Sequence, residues 1–136
     1  MSKENIVKAR TCVYNVGYHI VFTTKYRKEV LIDKVEDRLQ EILLQVAEDK
    51  DFIIKKMEIM PDHIHLFISA HPKHSPSYIV KMCKGISGRL LLKEFVNLRQ
   101  ELYKGKLWNP SYYLETVGSI SDKTVKQYIE NQKSKK

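Results

Sequence analysis

Two histidines separated by a single residue, His63 and His65 in "MPDHIHLFI", carry the clearest chemical signal in this 136-residue chain. Side chains alternate faces along a β-strand, so both imidazoles project from one side while Ile64, Leu66 and Ile68 project from the other. Neutral imidazole is a frequent metal ligand, and two at this spacing stand close enough to share one ion. Strand histidines also serve as ordinary packing residues, and the spacing alone leaves both uses open. The bulky Ile64 and Leu66 favour the metal reading, because they fix which face the strand turns to the core.

The elements that must present this pair follow from periodicity. Residues 12–27, "CVYNVGYHIVFTTKYR", alternate Tyr14, Val16, Tyr18, Ile20 and Phe22 with Asn15, Gly17, His19, Val21 and Thr23, which predicts a first strand. From Asp33 to about Lys50, Val35, Leu39, Ile42, Leu43 and Val46 recur at helical spacing, with Asp33 as the expected N-cap. "FIIKKMEIM" and "HIHLFISA" read as strands joined through Pro61-Asp62 into a hairpin. Ser75-Pro76 signals the start of a second helix through Ile79, Met82, Cys83, Ile86, Leu90 and Leu91. A last strand is expected over Ser111 to Val117, ended by Gly118, and a terminal helix from about Asp122.

The resulting order, β-α-β-β-α-β plus a trailing helix, predicts an α+β fold of ferredoxin-like or RRM-like type, with both helices on one face of an antiparallel sheet. His63 and His65 are then expected on the uncovered face. His19 joins them there if the large apolar residues of its strand also point to the helices.

Composition sets the class. The chain has 24 Lys plus Arg against 16 Asp plus Glu, a net charge of +8, which favours a polyanionic partner, nucleic acid first. No apolar run approaches the roughly 20 residues of a membrane span, and "MSKENIVKAR" lacks a signal peptide's apolar region. We therefore expect a soluble, cytoplasmic protein of one domain over 1–136, without a membrane partner. Cys12 and Cys83 are isolated, which fits buried thiols in a reducing compartment better than a disulfide or zinc site.

"PDHIHLFI" resembles the histidine–hydrophobic–histidine (HUH) motif of nucleases that nick single-stranded DNA through a covalent tyrosine. "YHIVFTTKYRKEVL", "MPDHIHLFI", "LWNPSYYLETVG" and "VKQYIENQ", in that order, resemble the small single-tyrosine HUH transposases of minimal insertion sequences, the IS200-like family. The resemblance runs from about Tyr14 to Gln132. It implies that Tyr128 is the nucleophile, that His63, His65 and Gln132 bind a divalent ion, Mg2+ or Mn2+, and that cleavage leaves a 5′-phosphotyrosine. Positions 128 and 132 are one helical turn apart, so their side chains share a face. On ligand softness alone, two imidazoles and an amide suggest a softer metal than magnesium.

The resemblance also implies a substrate of single-stranded DNA hairpins at the element's ends, and a homodimer whose active sites combine the histidines of one subunit with the tyrosine helix of the other. Gly118 is the implied hinge, with 118–121 as the link, a core over about 12–118 and a tyrosine helix over about 122–133. Residues suited to hold the strand are Lys25, Arg27, Lys28, Lys81, Lys84 and Arg89; "TTKYRK" interleaves an aromatic with cations, a pattern for phosphate contacts plus base stacking. Binding through them is expected to weaken steeply with salt. Tyr14, Tyr18, Tyr26, Tyr112 and Tyr113 are competing phenols without a partner at ligand spacing. Two alternatives stand beside the transposase: a domesticated palindrome-processing HUH nuclease, and a non-catalytic RRM-like module that stacks bases on strand aromatics.

Overall fold

The structure, a computed structural model, describes residues 17–102 and 105–117, together with the backbone of Val7–Lys8 (β1) and Val13–Tyr14 (β2). The remaining elements are β3 (Gly17–Thr23), α1 (Asp33–Lys50), β4 (Phe52–Met60), β5 (His63–Ala70), α2 (Pro76–Glu94), α3 (Val96–Glu101) and β6 (Tyr113–Val117). The expected terminal helix, with Tyr128 and Gln132, and the hinge at Gly118 lie outside the described residues.

The main sheet has the order β4-β5-β3-β6 with every neighbouring pair antiparallel. Each helix crossover therefore skips one position, and the central strands β3 and β5 belong to different β-α-β halves. This is the α+β, ferredoxin-like arrangement expected from the element order. The first strand is shorter than its alternation suggested: β2 pairs with β1 in a separate ribbon, and the main-sheet strand is Gly17–Thr23. Thr24 leaves the sheet in a short 3-10 turn, Lys25–Arg27.

The core lies between the sheet and α1/α2. Ile20 and Phe22 of β3 and Ile64, Leu66 and Ile68 of β5 meet Leu39, Ile42, Leu43 and Val46 of α1 and Ile79, Cys83 and Leu91 of α2. Burial pushes the Cys83 thiol up to about 12, so it behaves as a small apolar residue. Ser75 caps α2 as expected, its hydroxyl accepting from the Tyr78 N–H at 3.1 Å. Asp33 does not cap α1. Ile32 holds the cap position with no side-chain cap, and Asp33 is itself helical residue one with φ of 52°, whereas a capping carboxylate needs an extended backbone. Among the described residues no helix is long and apolar enough to cross a membrane.

The segment leading into β6 is pinned by Trp108. Its ring stands edge-on to Phe22 at 4.6 Å, and its Nε1 donates to Ser87 Oγ at 3.0 Å. Gly88 makes room, since a Cβ there would meet Trp108 Cδ1 at 3.4 Å. Ser87→Ala leaves a buried indole N–H without its acceptor, and we expect a loss of about 1–3 kcal/mol in urea unfolding.

Candidate active site

The strand register decides which side chains share the face opposite the helices. Thr23 pairs with His63, Val21 with His65 and His19 with Phe67, while β6 sets Glu115 beside His19. His19, His63, His65, Phe67 and Glu115 therefore occupy one face, as the alternation predicted for the histidines. That face is not open, however: His19 and His65 are 0% exposed and His63 only 7%. The aromatic rings form a layer of their own, with His19 lying 4.4 Å from Phe67 at 10° and meeting Tyr113 edge-on at 6.0 Å.

His63 and His65 stand with ring centroids 5.1 Å apart, inclined at 76°. Two imidazoles ligating one ion at about 2.1 Å, with ligand angles between octahedral and tetrahedral, have centroids roughly 4.7 to 5.4 Å apart, so the spacing fits a shared ion. His63 is braced from behind. Its Nδ1 lies 2.7 Å from Asp62 Oδ1, and Arg27 Nε donates to Asp62 Oδ2 at 2.9 Å. Partial burial alone would raise the Asp62 pKa, but the hydrogen bonds from His63 and Arg27 hold it below the usual carboxylate value. An ionised carboxylate at Nδ1 keeps the proton there and the lone pair on Nε2, the arrangement commonly found behind metal-binding histidines. The donor set thus suits a divalent cation. Among the described residues no group of three or more His, Cys, Asp or Glu is placed to hold one, so any further ligand is of another type or lies elsewhere in the chain.

Backbone hydrogen bonds stitch three of the quoted sequence blocks together at this end of the sheet. Thr24 N donates to Asp62 O at 3.0 Å and Leu31 N to Pro61 O at 2.9 Å, closing the "TTKYRKEVL" loop over the Pro61-Asp62 turn. Asn109 N donates to Thr23 O at 2.9 Å, and Thr24 bridges to Trp108, which brings in "LWNPSYYLETVG". Tyr26 and Arg27 have φ of 59° and 54°; this left-handed pair turns the chain as Arg27 reaches back to Asp62. Tyr26 is left 62% exposed, with Lys25 Nζ 5.6 Å from its ring centre.

The basic residues selected from sequence separate into two groups. Lys25, Arg27 and Lys28 lie on the loop beside His63. Lys81, Lys84 and Arg89 are on α2, whose core face packs against the other side of the sheet, and Arg89 lines a groove with Arg38, Glu41 and Asp49. Lys84 is engaged within the fold. Its ammonium donates to the carbonyls of Asn109 (2.6 Å), Pro110 (3.2 Å) and Ser111 (3.2 Å), and burial holds its pKa below the usual lysine value. With three donors directed at three carbonyls, Lys84 clamps the loop before β6. Sequence reasoning read Asp62 only as a turn residue and gave Glu115 no role. Asp62 directly precedes His63, and that adjacency was its one legible signal.

Sequence comparison places the chain among the transposases: it belongs to the IS200-like transposase family, whose profile matches residues 12–132. The ISDra2 transposase TnpA of Deinococcus radiodurans is 39% identical over 128 residues, covering 94% of this chain and 91% of that protein. The transposase for insertion sequence element IS200 of Salmonella typhimurium is 33% identical, covering 88% and 78%. A crystal structure from D. radiodurans R1, of a chain assigned as a transposase, superposes with a TM-score of 0.75 at 40% identity over 93% of this chain and 97% of that one. A REP-associated tyrosine transposase bound to a REP hairpin shares the fold, with a TM-score of 0.60 at 14% identity over 90% and 67%.

Proposed function

We propose that this transposase cuts and rejoins single-stranded DNA at the ends of an insertion sequence, with Tyr128 as nucleophile and His63, His65 and Gln132 as the holders of a divalent ion, Mg2+ or Mn2+. The observation that carries the reading is the paired His63 and His65, the first braced by Asp62 and Arg27, in a chain matched by the IS200-like profile through positions 128 and 132.

The bound ion would offset negative charge on a non-bridging phosphate oxygen. The phenolic oxygen of Tyr128 attacks phosphorus as the phenol loses its proton, and the bond from phosphorus to the 3′-oxygen breaks. That oxygen takes up a proton and leaves as a 3′-hydroxyl, while the 5′-phosphate stays on tyrosine. Attack by another 3′-hydroxyl on the phosphotyrosine reverses the exchange, so rejoining requires no nucleotide cofactor. Lys25, Arg27 and Lys28 line the strand's approach beside His63, and the exposed Tyr26 offers a face on which an unpaired base stacks. Thr24, whose hydroxyl donates to Lys28 O at 2.7 Å, holds that loop in shape.

The test mixes purified protein with labelled single strands from the DNA flanking its own gene, in magnesium, manganese or EDTA, and resolves covalent products on denaturing gels. A metal-dependent protein–DNA adduct supports the reading. Tight binding without an adduct under any metal favours a non-catalytic, RRM-like module.

The reading extends to a homodimer with shared active sites, Gly118 acting as the hinge that sends the tyrosine helix to the partner. Mixing inactive Tyr128→Phe with inactive His63→Ala subunits should then restore activity, since roughly a quarter of the sites in a randomised two-fold dimer are intact. No recovery after subunit exchange would place histidines and tyrosine in one subunit.

A further inference from the structure

The histidine layer contains a third imidazole that the nuclease chemistry does not use. His19 and His65 are diagonal neighbours on the central strands, with His19 Nε2 3.1 Å from His65 Nδ1. Their rings are inclined by only 7° with centroids 5.3 Å apart, an edge-to-edge placement that suits an in-plane N–H···N bond. On its other side His19 Nδ1 faces Glu115 Oε1 at 3.5 Å, and Tyr113 donates its hydroxyl to Glu115 Oε2 at 2.6 Å. A polar chain therefore crosses three strands, from Tyr113 and Glu115 on β6 through His19 on β3 to His65 on β5.

We infer that His19 is a positioning residue for His65: with its own proton drawn to Nδ1 by Glu115, it presents Nε2 as an acceptor and fixes the His65 proton on Nδ1, leaving the ligating lone pair on Nε2. This rests on the proposed metal role of His65. A neutral imidazole carries one proton on two nitrogens, and a carboxylate facing one nitrogen favours N–H there over a lone pair. With the His19 proton on Nδ1 toward Glu115 and the lone pair on Nε2, the short Nε2···Nδ1 contact has only one arrangement, His65 donating.

His63 and His65 are then held by matching means from opposite sides: a carboxylate acts directly on His63 through Asp62, and through one intervening imidazole on His65 through Glu115. Stacking on Phe67 fixes the plane of His19, so the acceptor stays aimed.

The test uses the full chain with Mn2+ alone as probe, reading free Mn2+ by electron paramagnetic resonance, and follows His65 tautomer by 15N–1H correlation on histidine-labelled protein. Variants are His19→Leu, His19→Gln, Glu115→Gln and the reference His63→Ala, each checked for fold by circular dichroism. We expect His19→Leu to weaken Mn2+ binding on the order of 10- to 100-fold. His19→Gln, whose amide oxygen can accept where Nε2 did, should recover most of that loss, and Glu115→Gln should fall between. In the metal-free protein, the His65 proton should sit on Nδ1 in wild type and divide between both nitrogens in His19→Leu.

A folded His19→Leu that binds Mn2+ like wild type with an unchanged His65 tautomer overturns the inference. If wild type and His63→Ala bind Mn2+ equally poorly, the metal reading fails instead. The tautomer shift then decides the His19–His65 relation separately: its presence upholds His19 as the group that sets the ring, and its absence overturns that too.

Discussion

Replacing Tyr128 with phenylalanine should lower single-strand cleavage on the order of 10,000-fold or more, to assay background, while binding of the same strand stays within a few-fold of wild type. The asymmetry is the informative part. The phenolic oxygen is the atom that bonds to phosphorus in the proposed reaction, whereas the ring that remains can still pack. Cleavage on denaturing gels and binding by fluorescence anisotropy, with one oligonucleotide, separate the two. The natural control is Tyr26→Phe. Tyr26 is the exposed phenol on the loop closed over the Asp62 turn, and if it serves only to stack a base its hydroxyl is dispensable. Tyr18 packs against the core and Tyr113 donates to Glu115, so neither is poised as an alternative nucleophile.

The second large effect concerns the ion. A His63→Ala, His65→Ala double variant should lose at least about 1,000-fold in cleavage, and EDTA should do the same to wild type, because the charge compensation at phosphate goes with the metal. Added Mg2+ or Mn2+ should restore the chelated wild type but not the double variant. Asp62→Ala should be milder, on the order of 10- to 100-fold in metal affinity, since it removes the group behind a ligand and leaves the ligand in place. Equal activity of Asp62→Ala and wild type at limiting Mn2+ would mean that the Asp62–His63 contact is only structural. Circular dichroism must accompany these variants, as His65 is completely buried and its loss opens space in the sheet face.

Much of this architecture was legible because the strongly periodic segments were also the ones that tertiary packing left unchanged. The helix over 33–50 and the hairpin strands on either side of Pro61-Asp62 occupy the expected ranges, with one register shift between Ile54 and Lys56 in β4. The first strand did not, since alternation continues through Tyr14 and Val16 whichever sheet the backbone joins, and pairing with β1 rather than β5 leaves no trace in the pattern. The Trp108 anchor was missed for a related reason: it depends on a contact far apart in sequence, the indole on Ser87.

At the site, alternation put His63 and His65 on one face, and His19 with them on the condition, met in the structure, that Ile20 and Phe22 face the helices. It could not show that they are buried, because burial depends on contacts from other parts of the chain that alternation does not encode. Lys84 shows the limit of reading charge from composition. Nothing in "KMCKGIS" distinguishes a cation facing solvent from one whose donors are taken by Asn109, Pro110 and Ser111. Asp62 and Glu115 illustrate the same limit for acids, whose value here lies in which histidine nitrogen they face.

The central claim is that one tyrosine, Tyr128, becomes covalently joined to a 5′-phosphate of single-stranded DNA. The most direct measurement is mass spectrometry of the trapped adduct: incubation with metal and a strand from the element's own end, nuclease trimming, proteolysis and peptide mapping. The account predicts one modified peptide, carrying a nucleotide linked through its 5′-phosphate to Tyr128. A phosphonucleotide on any other residue, or an end-specific strand cut without any covalent peptide, would contradict it.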